Sequence, residues 1–283
     1  MHMLLQCCVA TAAKAIASSS TTRVVVPQLF HHRFAYASDI HAADPGHPAF
    51  YRPLPRVAAT HGTLAICGDV GLPTEPRFDQ FFRQIAPDFN RILFVPGNHE
   101  MDCSSVRDAH KVEEYRPIVM DVLSRFPNVV LLDNAVAKVV GEGGGSGGGT
   151  TWFAGTTLWS RIVPQKPTTT TARRAAAIAE SNARHAEDVR WLHSALDDIA
   201  AATAAPSDMV VVLSHFPPTE RLIESKYRAC PAHHQTGRFW TNLESEFMGE
   251  EGIVDGWIAG HSHTHDMRCT VGNVDCRVHS KHL

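Results

Sequence analysis

Five short apolar segments of this chain each run directly into polar residues of the kinds that bind metals or transfer protons. Short apolar runs bounded by Gly, Asp and Ser are typical of buried strands in a parallel sheet. The polar continuations are Asp39-Ile40-His41, Gly68-Asp69, Gly97-Asn98-His99-Glu100, Ser214-His215 and Gly260-His261-Ser262-His263. Because the carboxyl ends of parallel strands gather along one edge of an α/β sheet, we expect these five clusters to meet in one crevice.

The polar clusters contain a donor set that favours metal ions. The candidate ligands offer oxygen from Asp39, Asp69 and Asn98 and nitrogen from His41, His215, His261 and His263. Mixed nitrogen and oxygen donors without thiolate suit divalent ions such as Mn, Fe, Zn or Ni. Seven donors are too many for one tetrahedral site, but they fit two ions about 3.5–4 Å apart that share a bridging carboxylate. The sequence therefore predicts a centre for two divalent metal ions.

Two pairs of candidate ligands are separated by one position, Asp39 with His41 and His261 with His263. In an extended segment, residues i and i+2 point to the same side of the backbone. We therefore expect extended backbone at both pairs, with both members directed at the metal centre.

The order of the blocks, D-x-H, G-D, G-N-H-E, H and G-H-x-H, resembles the signature of the calcineurin-like metallophosphoesterases. The resemblance runs from Asp39 to His263 and covers most of the chain. It implies an α/β fold built as a four-layer sandwich, with two mixed β-sheets flanked by helices and the metal site at the carboxyl ends of the strands. The strand-end pattern by itself indicates only the α/β class.

The resemblance also implies a role for each site residue. The implied ligands are Asp39, His41 and His263 for one ion, Asn98, His215 and His261 for the other, and Asp69 as the bridge between them. His99 would not bind metal but would stand over the substrate phosphate as general acid and charge stabiliser. Catalytic roles are thus expected for His99 and Asp69.

Paired cations at such a centre would favour hydrolysis of phosphate esters. Two divalent ions lower the pKa of a bound water from 15.7 towards about 7 and neutralise phosphate oxygens. The departing alkoxide needs a proton, and an imidazole at the rim of the site titrates in the right range. We therefore predict a metal-dependent hydrolase of small phosphomonoesters or phosphodiesters. The alternative is a catalytically weak scaffold of the same fold that serves protein contacts.

Length and charge exclude several other classes. The 283 residues suffice for one large α/β domain, which we place at 33–283. A net charge of −3 without a basic groove argues against a nuclease or any other nucleic-acid partner. No run approaches the roughly 18 apolar residues of a membrane span, so no membrane contact is expected. The sequence leaves the oligomeric state open.

Residues 1–32 are expected to form a separate extension. They contain no acid and are rich in Ser, Thr and Ala, with Lys14 and Arg23 as their cations. This composition resembles a transit peptide, although a disordered extension fits it slightly better. Seven cysteines without a C-x-x-C pair indicate a reducing compartment. We therefore expect a cytoplasmic protein, with mitochondria as the alternative if 1–32 acts as a transit peptide.

Hydrophobic periodicity predicts the surrounding elements. Helices are expected at 77–85, within 104–126 and at 172–201, a strand at 129–132, and hairpins that pair 135–140 with 151–154 and 267–271 with 274–278. The glycine-rich stretch 141–149 is interpreted as a flexible connector. The excursion 215–251 is the best candidate for a lid that selects substrate.

Several side chains near these elements have an interpretation of their own. His47 is interpreted as a surface residue, and Trp159 fits a pocket wall and core packing equally well. Cys269 and Cys276 could face each other across the last hairpin, but no disulfide is expected. The pair His233 and His234 is not needed as ligands, because the seven-residue set is complete without it.

Overall fold

The structure is a computed structural model and describes residues 23–24, 28–29, 34–57, 62–103, 106–140, 149–163, 171–203, 206–228 and 239–280. The predicted extension 1–32, apart from 23–24 and 28–29, lies outside the described residues. So do most of the glycine-rich connector and the pair His233 and His234.

The strands carry the labels used below. They are β1 (Arg23–Val24), β2 (Gln28–Leu29), β3 (Phe34–Ala37), β4 (Arg56–Val57), β5 (Thr63–Cys67), β6 (Arg91–Val95), β7 (Val129–Leu131), β8 (Ala135–Val140), β9 (Thr150–Thr156), β10 (Met209–Ser214), β11 (Gly256–Ala259), β12 (Met267–Val271) and β13 (Val274–Val278).

The α-helices are α1 (Pro76–Ile85), α2 (Val112–Leu123), α3 (Ala172–Ala202), α4 (Ser225–Arg228) and α5 (Glu244–Phe247). Helix α1 begins at Pro76, whose fixed φ and missing N–H suit the first helical position. Its buried face carries Phe78, Phe81, Phe82 and Ile85, the i, i+3, i+4, i+7 pattern of an amphipathic helix. Helix α3 begins after Thr171, whose side chain accepts a hydrogen bond from the Arg174 amide. No helix in the described part of the chain is long and apolar enough to cross a membrane.

Two large sheets form the centre of the molecule. The first has the order β2-β3-β5-β6-β7, with β3 to β7 parallel and the short β2 antiparallel to β3. The second has the order β12-β13-β11-β10-β9-β8, with a parallel middle and an antiparallel strand at each edge. Both sheets are therefore mixed, as predicted.

Three separate apolar cores account for a four-layer arrangement. Helices α1 and α2 pack on the outer face of the first sheet, where Phe78 and Val119 lie in one core with Ile66. Helix α3 packs on the outer face of the second sheet, where Leu192 lies in a second core with Trp257. The third core lies between the two sheets.

The strand sequences explain how one strand serves two cores. Side chains alternate between the faces of a strand, so a strand buried on both faces is apolar throughout. In β6, Ile92 and Phe94 belong to the helix-side core and Leu93 and Val95 to the core between the sheets. Burying each large side chain contributes about 1.5–3 kcal/mol. The layered α/β fold implied by the family resemblance is confirmed.

The element predictions are confirmed with small shifts of boundary. The region 104–126 contains a 3₁₀ segment, Val106–Lys111, followed by α2, rather than one continuous helix. Strands β8 and β9 pair antiparallel, and so do β12 and β13 across the two-residue turn Gly272-Asn273. Cys269 and Cys276 are directly paired in that last hairpin, and both are free thiols.

Candidate metal centre

The first two ligand loops lie side by side beyond the carboxyl ends of β3 and β5. The amides of Asp39, His41 and Ala43 donate to the carbonyls of Gly68, Asp69 and Val70 at 3.0, 2.8 and 2.9 Å. The loops thus continue the pairing of the two parallel strands past the end of the sheet. This pairing fixes Asp39 and His41 relative to Asp69.

One group of candidate ligands gathers around the end of β3. Donor atoms of Asp39, His41, Asp69 and His263 all lie within 4.8 Å of one another. The Nε2 atoms of His41 and His263 are 3.2 Å apart, and His263 Nε2 lies 3.5 Å from Asp39 Oδ1. His41 and His263 are 222 positions apart in the chain, so the fold brings distant loops together here.

A second group gathers beside the first and shares Asp69 with it. Asp69, His215 and His261 offer donor atoms within 4.8 Å of one another. Asn98 Oδ1 lies 3.0 Å from His215 Nε2 and 2.9 Å from His261 Nδ1. The Asn98 amide nitrogen donates to the Cys103 carbonyl, which directs Oδ1 into the group.

The donor chemistry of both groups fits bound cations. In the second group His215 Nδ1 lies 2.9 Å from the Cys67 carbonyl, so in the neutral imidazole this nitrogen carries the proton and Nε2 has a lone pair. That Nε2 faces Asn98 Oδ1, His261 Nδ1 and, at 3.2 Å, Asp69 Oδ2. A metal ion would be held by lone pairs that converge in this way, because imidazole and carboxylate bind metals in their deprotonated forms. The structure thus brings together all seven predicted ligands, in two groups that meet at Asp69.

The backbone at the ligands corrects one prediction. Asp39, His41, His261 and His263 have φ values of 53°, 50°, 62° and 52°, and Asp69 has a φ of 58°. These are left-handed conformations, so the prediction of extended backbone at the two i, i+2 pairs is wrong. Asp, Asn and His tolerate this region better than other non-glycine residues, and such conformations cluster at functional sites. The Asp and His residues at these positions were therefore a signal in the sequence for left-handed backbone.

Two glycines allow the ligand loops to approach each other. A Cβ at Gly68 would lie 2.5 Å from His215 Nδ1, and a Cβ at Gly97 would lie 2.3 Å from Asp69 Oδ1. Gly68 also has a φ of 81°. Any side chain at these positions would therefore displace a candidate ligand.

Two supporting residues were not recognised from the sequence. Glu100 is fully buried, and its carboxylate accepts hydrogen bonds from the amides of Asp69, Gly71 and Gly97. Ser280, near the end of the described chain, donates to Asp39 Oδ2 at 2.5 Å. Glu100 was visible in the G-N-H-E block as a carboxylate beside the ligands. Ser280 had no sequence signal, because it lies 241 positions from its partner.

The charged groups of the centre shift one another's pKa values, some upward and some downward. Burial raises the pKa of Asp69, but His215 and His99 lower it well below its usual range. Burial lowers the pKa of His215, but Asp69 and Asp39 raise it to about 9. Burial and the neighbouring His215 lower the pKa of His261. The carboxylates thus stay ionised and His261 stays neutral, the forms in which both residue types bind metals, whereas His215 carries a proton at neutral pH that metal binding would release.

His99 lies at the rim of the centre and not among the ligand groups around Asp69. Its Nε2 is 4.0 Å from Asp69 Oδ2, its amide donates to Asp69 Oδ1 at 2.9 Å, and its side chain is 28% exposed. Burial lowers the pKa of His99, but Asp69 and Asp44 raise it to about 9. The imidazole is therefore protonated at neutral pH and faces both the carboxylate and solvent.

Aromatic residues surround the ligands, and one of them corrects a second prediction. The His47 ring stacks on the His41 ring with centroids 4.5 Å apart, so His47 is half-buried and adjoins the centre. Trp159 is buried and packs on Phe216, whose ring lies 4.0 Å from that of His261. Trp159 therefore belongs to the core behind the centre.

The two ends of the excursion 215–251 are packed core. The amide of Leu243 donates to the Pro218 carbonyl, and Leu222, Leu243 and Phe247 lie in the core under α3. Phe239 lies next to the centre, with its ring 5.6 Å from that of His261. The lid was predicted for the whole of 215–251, and its middle, residues 229–238, lies outside the described residues.

Comparison with known proteins agrees with this geometry. The family model described as calcineurin-like phosphoesterase matches residues 32–265. The chain is 28% identical over 99 residues to uncharacterized protein L509 of Acanthamoeba polyphaga mimivirus, which covers 35% of this chain and about a third, 32%, of that protein.

A solved structure is similar over nearly its whole length. The phosphopantetheinyl hydrolase PptH from Mycobacterium tuberculosis superposes with a TM-score of 0.57 at 17% identity, covering 87% of this chain and 88% of that one. At this level of identity the likeness shows the fold alone. The family model, in contrast, spans every one of the five polar clusters. The chain therefore belongs to the calcineurin-like phosphoesterase family.

Proposed function

We propose that this protein hydrolyses phosphate esters at a centre of two divalent metal ions. The observation that carries the proposal is the pair of ligand groups that share Asp69, with His99 Nε2 at 4.0 Å from the shared carboxylate. Asp39, His41 and His263 would hold one ion, Asn98, His215 and His261 the other, and Asp69 both. A scaffold would not need to retain all seven donors in this arrangement.

The donor set favours borderline ions. Four imidazoles, two carboxylates and one amide oxygen, with no thiolate among them, suit Mn, Fe, Zn or Ni better than Mg or Ca. When bound, such ions supply charge neutralisation for phosphate oxygens and a water acidified towards neutrality. The chain's own net charge of −3 provides no comparable positive field.

The protein groups account for the proton transfer. In the hydrolysis a water oxygen forms a bond to phosphorus, and the bond from phosphorus to the leaving oxygen breaks. His99 holds a proton at neutral pH, and its exposed edge faces the space beside Asp69. It would give that proton to the leaving oxygen and, as a cation, stabilise the charge that develops there. Asp69 holds the His99 backbone through its amide and so fixes the distance between acid and metal centre.

The test is hydrolysis of p-nitrophenyl phosphate and bis-p-nitrophenyl phosphate with added Mn²⁺ and, separately, with a chelator. We expect turnover that the chelator abolishes, and the ratio of the two rates assigns the monoester or diester class. His99→Ala should keep its bound metal while its rate falls by about 10²–10⁴.

The matched control is His193→Ala, since His193 is an exposed histidine of α3 that pairs with Glu246 and belongs to neither ligand group. It should retain the wild-type rate. Absence of turnover with every divalent ion tested would overturn the proposed function.

A further inference from the structure

One carboxylate oxygen outside the seven-ligand set contacts two imidazoles of the centre. Asp44 Oδ2 lies 2.9 Å from His99 Nδ1 and 3.4 Å from His41 Nδ1. The rings of His41 and His99 are nearly perpendicular, at 87°, with centroids 4.7 Å apart. The same oxygen therefore faces the Nδ1 edge of a candidate metal ligand and of the candidate general acid.

The Asp44 side chain is itself held in place. Its Oδ1 accepts a hydrogen bond from the Gly46 amide at 3.0 Å, and its carbonyl accepts one from the His47 amide at 3.0 Å. The preceding residue, Ala43, is bridged to Gly71 of the neighbouring ligand loop. Asp44 is only 14% exposed. The Asp44 carboxylate therefore has a fixed position relative to the paired loops that carry Asp39 and Asp69.

The two contacts decide which nitrogen of each ring faces the centre. With Nδ1 on Asp44, His41 presents Nε2 to the first ligand group, 3.2 Å from His263 Nε2. His99 likewise presents Nε2 towards Asp69 Oδ2. A histidine that donates one ring N–H to a carboxylate has a fixed tautomer and orientation at its other nitrogen.

We propose that Asp44 is the positioning residue that orients both His41 towards the metal and His99 towards the substrate. The part that concerns His99 rests on the proposed function, whereas the part that concerns His41 requires only that the centre binds metal. One residue would in this way couple metal binding to the orientation of the proton donor.

A second acid lies near His99 in sequence and provides a comparison. Asp102 is three positions from His99, but its carboxylate accepts hydrogen bonds from Lys111 and Tyr115. Its backbone amide donates to the His99 carbonyl at 3.2 Å, but its carboxylate pairs with Lys111 and Tyr115 and not with an imidazole of the centre. Asp102 is therefore a matched control for the Asp44 side chain: the same residue type near the centre, with its carboxylate bound elsewhere. The variants to compare are Asp44→Ala, Asp44→Asn and Asp102→Asn.

The first arm measures metal binding without turnover. Titration of the metal-free protein with Mn²⁺ by calorimetry should show an affinity about 10–100-fold weaker for Asp44→Ala than for wild type, the usual effect of removing a carboxylate behind a ligating histidine. Asp44→Asn keeps the size and one acceptor oxygen, so it should fall between the two. Asp102→Asn should match wild type. Equal Mn²⁺ affinity in Asp44→Ala and wild type would overturn the proposal that Asp44 orients His41 towards the metal.

The second arm measures turnover at saturating Mn²⁺ with two esters that differ only in leaving group, p-nitrophenol or an alkyl alcohol. Alkoxide departure depends on a proton donor more than nitrophenolate departure does. Asp44→Ala should therefore lose more kcat on the alkyl ester, with little change in KM, and should add no further loss in a His99→Ala background. Equal losses of kcat on both esters, or losses that add fully to that of His99→Ala, would overturn the proposal that Asp44 orients His99.

The number of metal ions bound per chain distinguishes this proposal from the alternative that Asp44 is itself a ligand of a third ion. His41, Asp44 and His99 could themselves surround a cation, because their donor atoms also lie within 4.8 Å of one another. Two ions per wild-type chain support a hydrogen-bonded Asp44, and three would overturn it. If wild type binds metal but hydrolyses neither ester, the proposed function fails while the calorimetric arm still decides the role of Asp44.

Discussion

The buried carboxylate of Glu100 accepts a hydrogen bond from the backbone amide of Asp69 at 2.8 Å. It accepts two more from the amides of Gly71 and Gly97, at 2.9 and 2.6 Å. Three amides from two ligand loops thus converge on one side chain. Burial and the Asp69 charge raise the pKa of Glu100, while the three amides lower it. Glu100 therefore holds the Asp69 loop against the loop that carries Asn98 and His99.

Replacing Glu100 by Gln should destabilise the fold. One of its two oxygens becomes an NH₂ group, which leaves at least one buried amide without an acceptor. Such a loss costs about 1–3 kcal/mol in free energy of unfolding. Urea denaturation of the metal-free protein measures it, with the exposed Glu114→Gln of α2 as control. Equal stability of Glu100→Gln and wild type would contradict the role given to Glu100.

Replacing Asp69 by Asn should uncouple the two ligand groups. The variant keeps an oxygen acceptor for the His99 amide but loses the charge that both groups share. We expect metal content, measured by elemental analysis after dialysis, to fall from two ions per chain to one or none. Turnover should be nearly abolished. Asp121→Asn, at an exposed acid of α2, should keep both ions. Two retained ions in Asp69→Asn would rule out Asp69 as the shared ligand.

Replacing Ser280 by Ala should weaken metal binding without unfolding the protein. Ser280 Oγ donates to Asp39 Oδ2, the side chain whose Oδ1 faces His263. Loss of a group that orients a metal ligand commonly costs about 10–100-fold in metal affinity, and the low end is expected because Ser38 Oγ also lies 2.5 Å from Asp39 Oδ2. Calorimetric titration with Mn²⁺ measures the change. Ser194→Ala on the exposed face of α3 is the control.

Asp188 should give the fold a distinct pH dependence. Burial raises the pKa of this carboxyl from 3.8 to about 6, while Asn134 and the Trp159 amide lower it. The folded chain therefore binds the proton more tightly than the unfolded chain. The resulting stabilisation is fully present below about pH 4 and is lost as the pH rises through about 6.

Asp188→Asn should remove that dependence. Relative to the variant, wild type should lose about 2 kcal/mol in free energy of unfolding between pH 4 and pH 7. Urea denaturation at several pH values measures the difference between the two proteins. Asp198→Asn, at an exposed acid of the same helix, should follow wild type. A constant difference between Asp188→Asn and wild type would show that Asp188 does not titrate in this range.

Local sequence patterns were enough to predict the strands and helices that carry the site. The apolar runs before Asp69 and Asn98 form β5 and β6, and the i, i+3, i+4, i+7 pattern after Pro76 forms α1. These predictions succeed because periodicity reports which face of an element is buried. The backbone at Asp39 and His41 was predicted wrongly, because pairing with the neighbouring loop, and not the alternation of a strand, places both side chains.

The sequence by itself determined the α/β class, the order of the polar clusters and the chemical types of the seven donors, because these depend on residue identity and local spacing. Only the tertiary structure decided which side chains hold those donors in place. Neither Asp44 nor Ser280 belongs to a local pattern that predicts a site residue, yet both contact the centre. Such partners are selected by distance in space, and a local pattern contains no information about residues 241 positions apart.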